Sequence, residues 1–191
     1  MKGLCIFLTL ASMLSFSSAH AQNNYVFTDA SEWNGNDAMN VLETQGIRMN
    51  AIQNALEKCL QDKNWACALK SSRIKNHNTR KWSNSRGTYR RYTQVEAVFQ
   101  SIDQLPLEQN GVYTNTDTWK FDSEPSTLKS LGVKAEALDA AIQECHKAGN
   151  HFCIVLNVSF LKNNYRFYDS SRGKHRRKTT AQATVRGFKV R

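Results

Sequence analysis

Acidic residues are scarce: 16 Asp and Glu stand against 26 Lys and Arg in 191 residues, a formal charge of +10. Other things are missing as well. Beyond residue 21 no apolar run reaches the roughly 20 residues that a membrane-spanning helix needs. There is no Gly-x-Ser-x-Gly, His-Glu-x-x-His or phosphate-loop pattern, so the familiar hydrolase, metalloprotease and nucleotide-binding signatures are absent. No RNP sequence, zinc finger or helix-turn-helix signature points to nucleic acid. A core is not missing. Hydrophobic residues make up 40% and aromatics 10%, which excludes a disordered tail or a collagen-like chain. The length suits one or two small domains.

The start of the chain reads as an address. Lys2 is followed by the apolar run Leu4 to Phe16 and by Ser17-Ser18-Ala19-His20-Ala21, an A-x-A ending. This predicts a secretory signal peptide over 1–21, cleaved after Ala21. Its style suggests a bacterial envelope, periplasmic or secreted. A membrane anchor is the weaker alternative, because the run is too short. Without Lys2 the 26 bases become 25 against 16 acids, a charge of +9. Without Cys5 four cysteines remain, Cys59, Cys67, Cys145 and Cys153. An even count in an exported chain predicts disulfides.

The rest reads as one sequence written twice. A shift of 86 places Cys59 and Cys67 on Cys145 and Cys153 without a gap. It also superposes Trp33 on Trp119, Gly46 on Gly132, Asn78 on Asn164, Ser85-Arg86-Gly87 on Ser171-Arg172-Gly173, Arg90-Arg91 on Arg176-Arg177, and Thr93 on Thr179. Twenty paired positions are identical. The expected organisation is a first repeat at 22–107 and a second at 108–191.

Each repeat reads as strand, helix, then hairpin. Ile52, Leu56, Cys59 and Leu60 fall on one helical face, as do Leu138, Ile142 and Cys145. Thr44 and Ser130 are the expected N-caps and Gly149 a C-terminal stop. Phe152, Ile154, Leu156, Val158 and Phe160 alternate as one face of a strand. Its counterpart from Trp65 to Lys75 is more polar and reads as a weaker or edge strand. Val95, Ala97 and Phe99, and likewise Ala181, Ala183 and Val185, alternate in the returning strands. Gly87 and Gly173 mark the hairpin tips, since a tight turn needs positive φ. The expected class is α+β: two tandem β-α-β-β repeats, each a small antiparallel sheet with one packed helix and a long basic β-hairpin. The paired Trp33 and Trp119 read as core plugs, with ligand stacking as the alternative.

The repeat argues for local bridges, Cys59–Cys67 and Cys145–Cys153, each contributing roughly 2–3 kcal/mol through a short loop. A zinc site on four thiolates is the rival, but two to four intervening residues are usual there, not seven. No metal and no cofactor is expected.

The charge is concentrated. From Lys70 to Arg91 there are eight bases and no acid, and from Lys162 to Arg191 ten bases and only Asp169. Aromatics interleave with them. The candidate ligand-binding residues are Arg80, Trp82, Arg86, Tyr89, Arg90 and Arg91 in one hairpin. In the other they are Arg166, Tyr168, Arg172, Lys174, Arg176 and Arg177. Guanidinium forks suit phosphate, sulfate and carboxylate, and flat rings suit bases or sugars. The expected function is non-enzymatic binding of an anionic polymer: an acidic glycan, lipopolysaccharide or nucleic acid. One alternative is a solvated hairpin whose arginines pair with the acidic helices of the same fold. Another is a protein-interaction module, such as an exported inhibitor, immunity protein or envelope assembly factor, with an acidic protein partner. A secreted nuclease using His77 or His175 ranks lower, because no histidine has a histidine counterpart under the shift.

Overall fold

A computed structural model describes residues 26–61, 66–102 and 107–190. The expected signal peptide over 1–21, and Tyr25 and Trp65 in the expected strands, lie outside the described residues. The element order is β1 (Val26–Gly35), α1 (Val41–Gln61), β2 (Cys67–Ser83), β3 (Thr88–Ser101), β4 (Leu107–Phe121), α2 (Thr127–Lys147), β5 (Phe152–Asp169) and β6 (Lys174–Val190). The class is α+β. The expected two small sheets are instead one antiparallel sheet, in the order β1-β3-β2-β5-β6-β4. The junction between β2 and β5 holds a single paired position, Ala68 opposite Ile154. β2, expected at an edge, is therefore interior, and β1 and β4 are the edges. Hydropathy misled here because β2 meets β5 only at Ala68 and the rest of the strand carries exposed residues along its length.

Both helices begin earlier than expected. Asn40 Oδ1 accepts from the Glu43 amide at 2.9 Å, and the Glu43 carboxylate accepts from the Asn40 amide at 3.1 Å. This is a reciprocal capping box. In α2 the Ser126 hydroxyl accepts from the Lys129 amide at 3.3 Å. Thr44 and Ser130 are buried in the first turns instead. Four residues separate each from the true cap, and the Thr44 hydroxyl donates back to the Asn40 carbonyl. Gly149 does end α2, at φ +78, its amide donating to the His146 carbonyl.

The core lies between the helices and the sheet. Ile52, Ala55 and Cys59 from α1 meet Val95, Ala97 and Phe99 of β3, while Leu138, Ala141 and Cys145 from α2 meet Ala181, Ala183 and Val185 of β6. Leu60 is exposed rather than inward, because it follows Cys59 by about 100° of helical turn. The strict alternation expected along β5 also fails. A bulge between Val155 and Asn157 turns Leu156 to solvent and brings Val158 and Phe160 onto the core. The tryptophans are rim residues rather than plugs. Trp33 packs half-buried on the core, and Trp119 is 39% exposed with its indole N–H donating to Glu136.

The helices cross at their repeated glycines. A Cβ added to Gly46 would lie 2.1 Å from the Leu128 carbonyl oxygen, and one added to Gly132 would lie 2.1 Å from that of Leu42. Nearby, both ends of the Arg48 guanidinium bond the Asp139 carboxylate. The expected bridges are present. Cys59–Cys67 and Cys145–Cys153 each tie the last turns of a helix to the next strand, with Cα atoms 6.2 Å apart.

Candidate functional site

Beyond the ends of β1 and β4 each hairpin continues as a two-stranded ribbon. The ribbons are launched from equivalent bulges. Asn78 and Asn164 both sit at φ 53, a conformation Asn tolerates better than most residues. Their backbone amides donate to the fully buried hydroxyls of Thr93 and Thr179. The Asn78 side chain also holds the Met39 amide and carbonyl at 2.8 and 2.9 Å.

Two pairs of the repeated arginines have work at this base. Arg91 and Arg177 each donate to the bulge carbonyl, Asn78 or Asn164, at 3.2 Å. Arg90 reaches the Asn34 carbonyl at 2.7 Å and Arg176 the Lys120 carbonyl at 3.1 Å, tying edge strand to ribbon. Their identity between the halves thus has a local structural reason.

Further out, the register assembles a constellation in each ribbon. Arg80 lies opposite Arg91 and Trp82 opposite Tyr89. Alternate and directly opposite residues share a face. The Trp82 and Tyr89 rings meet edge to face at 5.0 Å, and the Arg80 guanidinium lies 4.5 Å over Tyr89. Trp82 and Tyr89 are 54% and 53% exposed. In the second ribbon Arg166 lies opposite Arg177, and Tyr168 opposite His175 at 5.4 Å, again edge to face. Arg86 and Arg172 sit in the exposed turns, which close on Gly87 and Gly173 at φ +60 and +62.

The ribbons differ in counter-charge. Asp122, just after β4, is 2.7 Å from Arg176, 3.4 Å from Lys174 and 3.9 Å from Arg172. Desolvation works against its ionisation, but the Lys174 hydrogen bond and the charges of Lys174 and Arg176 outweigh it and hold the carboxyl below its usual range. Asp169 accepts from the Ser171 hydroxyl and from Arg176, and these bonds bring its pKa down to about 2. Under the 86-residue shift Asp122 falls on Asn36 and Asp169 on Ser83. Among the described residues no carboxylate pairs with Arg80, Arg86, Arg90 or Arg91. The acids that neutralise the second ribbon come from its own strand and the loop after β4, not from the helices. The sequence reading missed Asp122 and the Asn–Thr bulge. The bulge had a signal, the repeated Asn and Thr; Asp122 had none.

Two histidines have close neighbours at the ribbons. His77 Nε2 is 3.1 Å from both the Thr44 hydroxyl and the Asn78 amide nitrogen, and His175 packs on Tyr168. Among the described residues no group of three or more His, Cys, Asp or Glu is placed to hold a metal, and no helix is long and apolar enough to cross a membrane. No protein-family model, curated protein or solved structure matches the chain.

Proposed function

We propose that this protein binds an anionic polymer, and that its first ribbon is the principal grip. The observation that carries this is the difference in counter-charge: among the described residues no carboxylate pairs with Arg80, Arg86, Arg90 or Arg91, whereas Asp122 and Asp169 hold Arg172, Lys174 and Arg176. A bound sulfate, phosphate or carboxylate would supply the missing counter-charge. Arg86 adds a further cation at the tip, and the exposed Trp82 and Tyr89 rings offer apolar surface beside it. The second ribbon, held by Asp122 and Asp169, is the weaker arm.

Two further readings accompany this one. The halves are copies of a single β-α-β-β unit, supported by the gapless 86-residue match, the reciprocal glycine crossing and the bulges that recur at Asn78 and Asn164. The chain is exported, supported by its signal-like start and by two disulfides, which persist in oxidising compartments.

Heparin chromatography tests the grip. The wild type should need well above neutral-protein salt to elute, and Arg80→Glu with Arg86→Glu should elute much earlier. Elution of the wild type at low salt, or an unchanged profile for the variant, overturns the proposal.

A further inference from the structure

Beside the second ribbon lies a cleft of about 510 Å³, walled by the end of β4, the loop to α2 and the start of α1. Its aromatic wall is peculiar to the second half. In the first half the Trp33 ring lies over Gly35, where a Cβ would collide with it, and packs half-buried on the core. Under the 86-residue shift Gly35 becomes Phe121 and Asn50 becomes Glu136. A phenyl group leaves no bare backbone for the indole to cover, and Glu136 accepts from the Trp119 indole N–H at 2.7 Å. Trp119 and Phe121 are alternate residues on the face of β4 turned to the helices, with ring centroids 6.5 Å apart and planes 23° from parallel. Val41, 71% exposed, adds apolar surface to the same cleft. Trp119 is thus 39% exposed and yet fixed in place. A ring held in position binds without a further ordering cost.

The charges around the cleft are of both signs and already engaged. Lys129 is 3.7 Å from Glu43, Arg176 is 2.7 Å from Asp122, and Glu124 accepts from the Asn164 amide. Lys120 lies on the outer face of β4, over the Phe167 ring, and adds nothing beside Trp119 and Phe121. An anion entering here would meet Asp122 and Glu124, and a cation would meet Lys129 and Arg176. A neutral ligand meets neither penalty. An engaged carboxylate keeps lone pairs that accept from hydroxyls, an engaged ammonium keeps N–H donors, and the Ser123 hydroxyl does both. An apolar side chain of a protein partner would use the rings but cover these polar groups without bonding them, which costs desolvation. A sugar ring has an apolar C–H face for the rings and hydroxyls for the rim.

We infer that this cleft seats one uncharged sugar ring of a glycan, its C–H face against Trp119 and Phe121 and its hydroxyls on Ser123, Glu124 and Lys129. The site is distinct from the first ribbon and uses none of its cations.

The test uses the full chain with its disulfides formed. Cellotetraose, maltotetraose and chitotetraose, all neutral, are titrated while tryptophan fluorescence and binding heat are followed. At least one should bind saturably, with an affinity that changes less than about twofold between about 50 and 500 mM salt, because no ion pair is made. Two variants report on the cleft, Trp119→Ala and Val41→Asp. The first removes a ring, and the second puts a charge where the C–H face would lie. Asp suits the first turn of a helix, so Val41→Asp should keep the fold even if Trp119→Ala does not. Each should weaken the bound tetrasaccharide by about tenfold or more. Arg80→Glu with Arg86→Glu should leave that binding within about twofold while losing retention on heparin, so the two proposals fail separately. No saturable binding of any of the three sugars, or unchanged binding in Val41→Asp, overturns the cleft. So does N-acetyltryptophanamide binding more tightly than every sugar and losing affinity in Val41→Asp, which would make the cleft a seat for a partner's side chain.

Discussion

The two ribbons share their framework and differ in two carboxylates. Each springs from an Asn bulge latched to a buried Thr, carries an Arg pair across its strands, and ends in an edge-to-face ring pair beside a glycine turn. The second adds Asp122 and Asp169, where the first has Asn36 and Ser83. With those acids, Arg172, Lys174 and Arg176 are occupied. Without them, Arg86, the counterpart of Arg172, pairs with no carboxylate among the described residues. The comparison teaches that identity between the halves and function need not coincide. Arg90, Arg91, Arg176 and Arg177 recur because backbone carbonyls need them. The difference in counter-charge comes from positions that do not recur.

The shared framework can be broken hardest at the helix crossing. Gly46→Ala and Gly132→Ala each force a methyl group against the other helix's carbonyl. Each should destabilise by about 3 kcal/mol or more, read as a lower midpoint in denaturant. A loss confined to one glycine would show that the crossing is not equivalent in the two halves.

Charge reversal comes next. Arg80→Glu with Arg86→Glu should cost heparin affinity at least about tenfold, since one charged hydrogen bond contributes roughly 1.5–3 kcal/mol. Arg166→Glu with Arg172→Glu should cost less. Equal losses would remove the asymmetry between the ribbons.

Exchanging the carboxylates sharpens the comparison with a smaller effect. Asn36→Asp with Ser83→Asp gives the first ribbon the acids of the second and should weaken heparin binding by about fivefold, or roughly 1 kcal/mol for exposed pairs. Asp122→Asn gives the second half the residue of the first and should strengthen binding by a similar or smaller factor. No change in either direction would mean that the acids do not set the difference.

The smallest effect is one of pH. Asp169 titrates at about 2 in the fold against an ordinary 3.8. A lowered carboxyl pKa contributes stability above the unfolded value that is lost as pH falls through the folded one. The melting temperature should therefore drop less between pH 4 and pH 2 in Asp169→Ser than in the wild type. An equal drop would show that Asp169 is not a source of acid sensitivity peculiar to the second ribbon.

Much of the fold was legible in the residues. Apolar spacing at 3.6 and at 2 marked the helices and the returning strands, Gly87 and Gly173 marked the turns, and the spacing of the four cysteines marked the bridges. The misreadings share a cause. Thr44, Leu60, Leu156 and β2 were assigned from local pattern alone. A cap one turn earlier, the 100° step of a helix, a bulge and a strand junction at Ala68–Ile154 set their places instead. Of the candidate site, the sequence held the cations and the rings, including which of them recur.

The sequence by itself determined the charge, its concentration in two stretches, the pairing of cysteines and the period of each element, because all of these depend on neighbours along the chain. Tertiary structure alone decided which charges are free. An arginine is satisfied or left open according to which carboxylate or carbonyl comes within a few ångströms. Asp122 reaches Arg176 only because the end of β4 pairs with β6. That contact spans more than fifty residues of chain, and no local pattern encodes it.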